Sequence, residues 1–225
     1  GLAMTAPLWI CDDLLAGCSG ALFDPAFACS SISGIEIDSR HCKSGDLFVA
    51  LVGDKQDGHD FITKAADAGA AACLVSSPDA DAPIAQIIVD DPLDALARLG
   101  RAGRNRFAGK MVGITGSVGK TGSKDMLAHA LTAFGKTHAS QRSFNNHIGV
   151  PITLATLAAD CDFAVQEMGM NAASEIAALT ALARPDIALF TRIASSHCGF
   201  FDSLDDIAKA KAEIFEGLNA GGTAI

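Results

Sequence analysis

The sequence predicts an α/β fold with two domains, and three observations carry this prediction. Short runs of β-forming residues alternate with segments of helical periodicity, which is typical of a mostly parallel sheet covered by helices on both faces. The 225 residues exceed one typical domain. A glycine-rich segment, 116–121, lies between an apolar run and a helical pattern. We place the boundary near residue 107, between a small N-terminal α/β domain (1–107) and a parallel-sheet domain with a phosphate-binding loop (108–225).

In the first domain, apolar runs predict three strands and helical spacing predicts two helices. The predicted strands cover 46–51, 72–75 and 86–89, and one helix opens at 61–66. Asp91 and Pro92 form a typical N-cap and first-turn pair for the second helix. The polar, basic stretch 101–106 is interpreted as the end of that helix and a linker.

In the second domain the alternation continues to the end of the chain. A strand at 111–114 leads into the glycine-rich segment, and Gly135 closes the helix that follows it. The apolar residues of that helix recur at helical spacing: Met126, Leu127, Ala130, Leu131 and Phe134. Further strands are predicted at 136–139, 162–168 and 186–190, and further helices from about 150, from Asn171 and over 203–218. Residues 221–225 begin another strand, so we expect the sheet to be unfinished at Ile225.

Composition and charge narrow the class of function. Hydrophobic residues make up 49% of the chain and charged residues 19%, which is typical of a soluble globular protein. A net charge of −9 without a basic patch argues against nucleic acid or a membrane surface as partner. No apolar run approaches the roughly 20 residues of a membrane span, and no signal peptide is visible, so we expect a cytoplasmic protein without membrane insertion. The seven cysteines form no C-x-x-C pair, and we expect free thiols.

The glycine-rich segment has the pattern of a phosphate-binding loop. The backbone N–H groups of a turn between a strand and a helix can surround a polyphosphate. Lys120 would reach the outer phosphates, and the Thr121 hydroxyl would bind Mg²⁺. Ile114 stands where the longer motif has glycine, so the match is to the short form G-x-x-G-K-T, which also occurs by chance as an ordinary helix start. The flanking strand and helix favour nucleotide binding. The residues predicted to bind ATP are Gly116, Ser117, Val118, Gly119, Lys120, Thr121 and Gly122.

Two further polar residues follow predicted strands. Ligands of open parallel sheets bind beyond the carboxyl ends of the strands. Glu167 lies at the end of the strand 162–168, where its carboxylate can face Mg²⁺; the alternative is a solvated carboxylate at a strand end. His197 follows the strand that ends at Phe190, and by itself it is expected to be a loop histidine bonded to a backbone carbonyl.

Lys211 lies in the middle of the apolar stripe of the helix 203–218, whereas Lys209 points elsewhere. A lysine on an inward helix face must extend to solvent, pair with a charge or lose its proton. A neutral amine near a metal can also react with CO₂ and form a carbamate, which supplies a carboxylate-like ligand. Extension to solvent is the commoner fate, and the pattern alone leaves these alternatives open.

Several of these segments together resemble the Mur ligases of peptidoglycan synthesis, and the similarity covers nearly the whole chain. Segments 38–40, 45–51 and 57–61 resemble the uridine-nucleotide-binding domain of that family, and 115–121 resembles its short phosphate loop. The segment 145–151, Asn-Asn-His-Ile-Gly-Val-Pro, resembles the marker of the branch that adds D-alanyl-D-alanine. Segments 167–171, 184–186 and 208–215 also fit.

The resemblance implies roles for particular residues. In the family, the residues that match Thr121, Glu167 and His197 serve the magnesium ions, and the lysine that matches Lys211 is carbamylated. The catalytic residues implied are Lys120, Lys211 and His197, and the substrate-binding residues implied are Ser39, Arg40, Asn145 and Asn146. The sequence departs from the family pattern at Ala172, where histidine is common, and at 196–199, where Ser-His-Cys-Gly replaces Ala-His-Leu-Glu.

The reaction implied is ATP-driven amide formation between UDP-N-acetylmuramoyl-tripeptide and D-alanyl-D-alanine through an acyl phosphate, with ATP and Mg²⁺ as cofactors. Family members continue through a further domain, so we expect this chain by itself to bind the UDP-sugar but not to catalyse ligation. Three alternatives stay open: a ligase similar to folylpolyglutamate synthase, a P-loop small-molecule kinase, and a nucleotide-binding module without catalysis. The sequence contains no Asn-Lys-x-Asp guanine motif, and no base for the incoming amine stands out.

Overall fold

The computed structural model describes residues 7–27, 29, 31–141, 143–194, 201 and 203–225. It confirms the α/β class, with one mixed and one parallel five-stranded sheet. The chain divides into two compact units, Gly1–Leu99 (unit 1) and Gly100–Ile225 (unit 2). The division falls inside a helix, and the domain boundary near residue 107 stays a prediction.

Unit 1 is built on a five-stranded sheet of order β2-β7-β6-β5-β4, in which β2 runs antiparallel to β7 and the other pairs are parallel. A separate antiparallel pair, β1 and β3, contains Trp9, the only tryptophan of the chain, which is buried. The elements are β1 (Trp9–Ile10), α1 (Cys11–Cys18), β2 (Ala21–Leu22), β3 (Ser31–Ile32), β4 (Gly34–Glu36), β5 (Asp46–Val49), a 3₁₀ helix (Gly58–Phe61), α2 (Ile62–Asp67), β6 (Ala72–Val75), β7 (Ala85–Ile88) and α3 (Pro92–Arg106).

Unit 2 is built on a parallel sheet of order β12-β11-β8-β10-β9. The elements are β8 (Lys110–Thr115), α4 (Lys120–Leu131), β9 (Thr137–Ala139), α5 (Gly149–Ala155), β10 (Phe163–Glu167), α6 (Glu175–Ala183), β11 (Ile187–Phe190), α7 (Leu204–Ala212), a 3₁₀ helix (Glu213–Gly217) and β12 (Thr223–Ala224). The strand predicted near the end of the chain is confirmed, because β12 pairs with β11.

Both faces of the unit 2 sheet are covered, as the sequence pattern predicts. On one face, Val112, Ile114 and Val165 form a cluster against α4. On the other face, Met111 and Ala164 belong to a larger cluster with residues of α5, α6 and α7. Neighbouring residues of a strand point to opposite faces, so these central strands are apolar at consecutive positions.

The prediction that the helix ends within 101–106 is confirmed, but the linker predicted there is wrong, because α3 continues through Arg106. The basic residues in this stretch are not a solvated tail. The buried Arg104 guanidinium donates to the carbonyls of Ala183 and Arg184, at 2.6 and 2.8 Å. Gly103 has no side chain and so lets α3 approach the backbone of Leu154. Helical continuation is therefore stabilised by buried hydrogen bonds that the local sequence does not reveal.

Three helices of unit 2 differ in part from the prediction. In α4, Leu127 and Leu131 pack against the sheet, but Met126 is 71% exposed. The helix ends at Leu131, so Phe134 lies beyond it and is 80% exposed, and the predicted apolar stripe is only half correct. Helix α6 begins at Glu175 and not at Asn171, because the Glu175 carboxylate accepts a hydrogen bond from the Asn171 N–H and closes a turn before the helix. The predicted helix 203–218 ends as α7 at Ala212 and continues as the 3₁₀ helix.

The half-buried His138 of β9 should make the stability of unit 2 depend on pH. Its Nε2 lies 3.0 Å from the Thr153 carbonyl oxygen, and burial lowers the pKa of His138 although this hydrogen bond opposes the shift. The unfolded chain then binds a proton at a higher pH than the folded chain does. The contribution of His138 to the free energy of unfolding is therefore fully present at a pH above 6.5, the ordinary pKa of histidine. It is lost as the pH falls below that pKa.

The test is urea unfolding followed by circular dichroism between about pH 7 and pH 5. His138→Gln should reduce the loss of stability on acidification, whereas the same change at the exposed His129 should not. Equal pH dependence in both variants would contradict this account.

Candidate nucleotide and metal site

The glycine-rich segment forms a tight loop between β8 and α4. Gly116 has φ of 149°, and a Cβ there would run into the Thr191 hydroxyl. Gly119 has φ of 84° and directly precedes α4. From the segment after β11, the Thr191 hydroxyl donates to the Val118 carbonyl at 2.7 Å, and the Arg192 carbonyl accepts from the Ser117 N–H at 2.7 Å. The loop is thus fixed from outside, and the first N–H groups of α4 have no acceptor within the helix.

Two hydroxyl groups at this loop support its fit to a polar ligand. Thr115 and Ser117 are buried, and their hydroxyl oxygens have no hydrogen-bond partner among the described residues. Buried polar groups are normally satisfied, so such groups beside a loop of N–H donors indicate a place where a polar ligand or water completes the network.

Lys120, the first residue of α4, extends over the loop. Its Nζ donates to the Gly116 carbonyl at 2.8 Å and approaches the Ser117 carbonyl at 3.4 Å. Burial lowers the pKa of Lys120, and the negative charge of Glu167 opposes this shift only in part. The amine is therefore poised where a phosphate would sit, and it lacks a direct counter-ion among the described residues.

Glu167, the last residue of β10, is 1% exposed and both of its carboxylate oxygens are engaged. Oε2 accepts from the Thr121 hydroxyl and Oε1 from the Asn145 Nδ2, each at 2.8 Å. The structure therefore joins Thr121 and Glu167, the two predicted metal residues of the loop and the strand end. A hydroxyl and a carboxylate are the hard oxygen donors that Mg²⁺ prefers, and a buried carboxylate with neutral partners favours a cation nearby.

Asn145 and Asn146 are both predicted to bind substrate, and in the structure their side chains make two different sets of hydrogen bonds. Asn145 holds Glu167, and Gly169 leaves room for it, because a Cβ at Gly169 would lie 2.9 Å from the Asn145 side chain. The Asn146 Oδ1 accepts from the N–H groups of Ile148 and Gly149 and caps the start of α5. The hydrogen bond between Asn145 and Glu167 was not apparent from the sequence. Substrate binding by the two asparagines stays a prediction.

Lys211 points inward from α7, as predicted, and is 1% exposed. Burial lowers its pKa to about 8, and the charge of Lys120 contributes to this shift. The side chain of Lys209 is 80% exposed, with its Nζ 3.9 Å from an Asp206 oxygen. A buried amine near the phosphate loop is partly neutral at ordinary pH, which is the form that reacts with CO₂. His197 lies outside the described residues.

Lys124 is a further buried cation that the sequence analysis missed. It is 2% exposed, and its Nζ donates to the Ser140 carbonyl at 2.8 Å and lies 3.1 Å from the Asp125 carboxylate. The Ser140 hydroxyl in turn accepts from the Glu167 N–H at 3.3 Å. The only signal in the sequence is its position one helical turn after Lys120.

A separate cleft of about 750 Å³ lies in unit 1, and the predicted residues Ser39 and Arg40 line it together with Lys55 and Lys64. The Arg40 guanidinium binds the Asp38 carboxylate through Nε and Nη2, at 2.9 and 2.6 Å, which holds the pKa of Asp38 well below its usual range. Gly58 forms part of the wall, where a Cβ would lie 2.7 Å from the Leu51 backbone. The lining contains three cations and two carboxylates, Asp38 and Asp54, and the pairing of Arg40 with Asp38 leaves Lys55 and Lys64 as the cations that suit an anionic ligand.

His59 fastens the wall of this cleft to the loop after β6. Its Nε2 accepts from the N–H groups of Ser76 and Ser77, at 3.0 and 3.3 Å. A backbone N–H can only donate, so the hydrogen of the neutral ring must sit on Nδ1, which lies 2.6 Å from the Asp57 carboxylate. This geometry explains why Asp57, Gly58 and His59 occur together in the segment 57–61.

Two family descriptions match the chain. Residues 31–104 match the Mur ligase family, catalytic domain, and residues 114–225 match the Mur ligase middle domain. The chain belongs to the Mur ligase family. The matched regions contain the unit 1 cleft and the unit 2 site, which confirms the resemblance seen in the sequence.

Relatives of this Mur ligase include the UDP-N-acetylmuramoyl-tripeptide–D-alanyl-D-alanine ligase of Bacillus subtilis (strain 168), which is 40% identical over 208 residues, covering 92% of this chain and 46% of the relative. A crystal structure of MurF from Acinetobacter baumannii matches with a TM-score of 0.86 at 34% identity, covering 97% of this chain and 48% of that one. MurF ligase from Thermotoga maritima, solved in complex with ADP, matches with a TM-score of 0.72 at 30% identity, covering 85% and 44%.

This Mur ligase chain thus spans about half the length of the relatives it matches. In its described part, no helix combines the length and the apolar character needed to cross a bilayer.

Gly116→Ala should damage the Mur ligase loop, because the new methyl group would meet the Thr191 hydroxyl in a backbone conformation that disfavours side chains. We expect a loss of about 1–3 kcal/mol in the free energy of unfolding and loss of ADP binding. Gly122→Ala is the matched control, since it lies in α4 with open space around it and should gain about 0.5–1 kcal/mol. Urea unfolding and calorimetric titration with ADP measure both effects, and equal stability of the two variants would disprove the steric argument.

Proposed function

We propose that the two units form part of an ATP-dependent amide ligase that joins D-alanyl-D-alanine to UDP-N-acetylmuramoyl-tripeptide in peptidoglycan synthesis. The observation that carries the proposal is the hydrogen bond between Thr121 and Glu167 beside the Lys120 loop. A buried carboxylate next to a phosphate loop is the arrangement that a metal-bound nucleotide requires. The identity to the Bacillus ligase supports the choice of substrates, and the ADP complex of the Thermotoga relative supports the nucleotide.

In the first step a carboxylate oxygen of the tripeptide attacks the γ-phosphorus of ATP. The bond from this phosphorus to the β,γ-bridging oxygen breaks, so that ADP leaves and an acyl phosphate forms. Lys120 and the N–H groups at the start of α4 bind the phosphate oxygens and stabilise the charge that develops on them. The fixed shape of the loop, held by Thr191 and Arg192, keeps these donors in place before ATP arrives.

Magnesium, when bound, would neutralise the phosphate charge, and the Thr121 hydroxyl and the Glu167 carboxylate are the residues that would hold it. Asn145 keeps one Glu167 oxygen oriented, and Lys124 fixes the backbone of Ser140, whose hydroxyl accepts from the Glu167 N–H.

In the second step the amine of D-alanyl-D-alanine attacks the acyl carbon. The bond between this carbon and the phosphate oxygen breaks, inorganic phosphate leaves, and the new amide nitrogen releases a proton. Holding both substrates in line supplies much of the rate.

A carbamate formed on Lys211 would, together with His197, hold the second magnesium ion. The neutral amine of Lys211 would add to the carbon of CO₂ and release one proton, leaving an anionic oxygen pair in place of a cation. The depressed pKa of Lys211, near 8, supports this step because it provides the neutral amine.

Unit 1 binds the uridine nucleotide in this proposal, with Ser39 and Arg40 at the cleft. Both nucleotides are cytoplasmic metabolites, so the protein acts in the cytoplasm.

Lys120→Ala should weaken ADP binding to this chain by about ten- to hundredfold, because one charged hydrogen bond to phosphate is lost. Binding of UDP-N-acetylmuramoyl-tripeptide should not change, since its cleft lies in unit 1. Isothermal calorimetry with each ligand measures both constants, and Lys110→Ala, an exposed cation of β8, is the control.

Unchanged ADP affinity in Lys120→Ala would remove the phosphate-loop assignment. Binding of a folate in place of the UDP-sugar would instead favour the folylpolyglutamate synthase alternative.

Lys211→Ala should lower the turnover of the ligase that contains these units by at least about a hundredfold. A short carboxylic acid should partly restore it by replacing the carbamate. Lys209→Ala should stay within about twofold of the original rate, because that side chain is exposed. Phosphate release measures turnover, and equal losses at the two positions would count against the role of Lys211.

A further inference from the structure

The carboxylate of Glu213, at the start of the 3₁₀ helix, reaches across to the beginning of α6. Its Oε1 accepts from the Ser174 N–H at 2.7 Å and its Oε2 from the Ala177 N–H at 3.0 Å. These are N–H groups of the helix start, which have no acceptor within the helix, and an anion is favoured there by the helix dipole. Glu213 therefore caps α6 from 36 and 39 residues away in sequence.

The backbone at Ser174 is shaped for this contact. Ser174 has φ of 68°, a left-handed conformation that non-glycine residues adopt at a cost. The serine follows the segment that leads from Glu167, at the end of β10, to α6. The Oε1 atom of Glu213 is thus hydrogen-bonded to the end of the segment that begins at Glu167, the candidate metal ligand.

Two more contacts fix the 3₁₀ helix on α6. The buried Thr180 hydroxyl donates to the Ile214 carbonyl at 2.8 Å. Gly217 packs against Thr180 so closely that a Cβ would overlap its backbone. Lys211 lies two residues before Glu213, so the position of its backbone is set by the same attachment.

We propose that Glu213 is a positioning residue. By tying the end of α7 to the start of α6, it keeps the Lys211 side chain buried in the position from which it can act together with Glu167. Its consequence for metal binding rests on the function proposed above, whereas its effect on the place of Lys211 does not. The Glu213 side chain would touch neither substrate nor metal and would act through Lys211 alone.

The place of Lys211 can be read directly by NMR of the chain with lysine labelled at Cε. A water-soluble gadolinium chelate relaxes signals of exposed side chains and spares buried ones. In the unaltered chain the Lys211 signal, assigned by its loss in Lys211→Ala, should be protected and the Lys209 signal should not. Glu213→Ala should expose Lys211 to the chelate severalfold more. Glu213→Gln, which retains an acceptor oxygen, should restore much of the protection.

Two controls separate positioning from general stabilisation. Glu216→Ala removes an exposed carboxylate of the same 3₁₀ helix. Ser203→Ala removes the hydroxyl that caps the other end of α7, where it accepts from the Asp206 N–H. Both variants should leave Lys211 protected. If Lys211 stays protected in Glu213→Ala, or if Ser203→Ala exposes it equally, the proposal is wrong.

A second measurement concerns the ligase reaction. Glu213→Ala should raise the Mg²⁺ concentration for half-maximal turnover by about tenfold, with an unchanged KM for UDP-N-acetylmuramoyl-tripeptide. Glu216→Ala and Ser203→Ala should not. If Lys211→Ala itself leaves the Mg²⁺ requirement unchanged, the metal role in the proposed function fails, while the NMR result still decides whether Glu213 positions Lys211.

Discussion

The register between β8 and β10 is the constraint on which the candidate site depends. Parallel pairing places Ile114 opposite Glu167, so the end of β10 lies beside the start of the phosphate loop. Side chains alternate across a strand, and a shift of one residue would turn Glu167 to the other face and bring Gln166 under α4. Val112, Ile114 and Val165 hold this register by packing against α4. The position of the buried carboxylate is therefore set by apolar contacts.

Local sequence was sufficient for β5 to β7, for the strands of unit 2 and for the residues that carry a motif. It did not predict α1 or the short strands β1 to β4, and it did not reveal contacts made across the fold. The strands of unit 2 were predictable because they are short, apolar and separated by helices, and Lys211 was found because it interrupts a stripe. Lys124 and Glu213 were missed, since Lys124 donates to a carbonyl 16 residues away and Glu213 accepts from N–H groups at least 36 residues away. A linker was predicted at 101–106 for the same reason: nothing local marks Arg104 as buried, because its carbonyl partners lie about 80 residues away in the sequence.

The site concentrates positive charge in an otherwise acidic chain. Lys124 and Lys211 are buried and Lys120 is half-buried, while the net charge of the chain is −9. Burial lowers the pKa of Lys120 and of Lys211, because each amine is removed from water without a bound anion. An anionic ligand beside Lys120 would supply the missing anion and oppose the lowering of the Lys120 pKa. Binding of an anion beside Lys120 and protonation of its amine would therefore favour each other.

The location of Trp9 determines what fluorescence can report about this protein. Trp9 is buried in unit 1, and the chain contains no tyrosine. Emission excited at the red edge of the protein absorption band thus arises from unit 1 and reports directly only on the surroundings of Trp9. A melting curve recorded in this way would assign the stability of one unit to the whole chain. Phe134→Trp, at an exposed position after α4, would give unit 2 a reporter of its own.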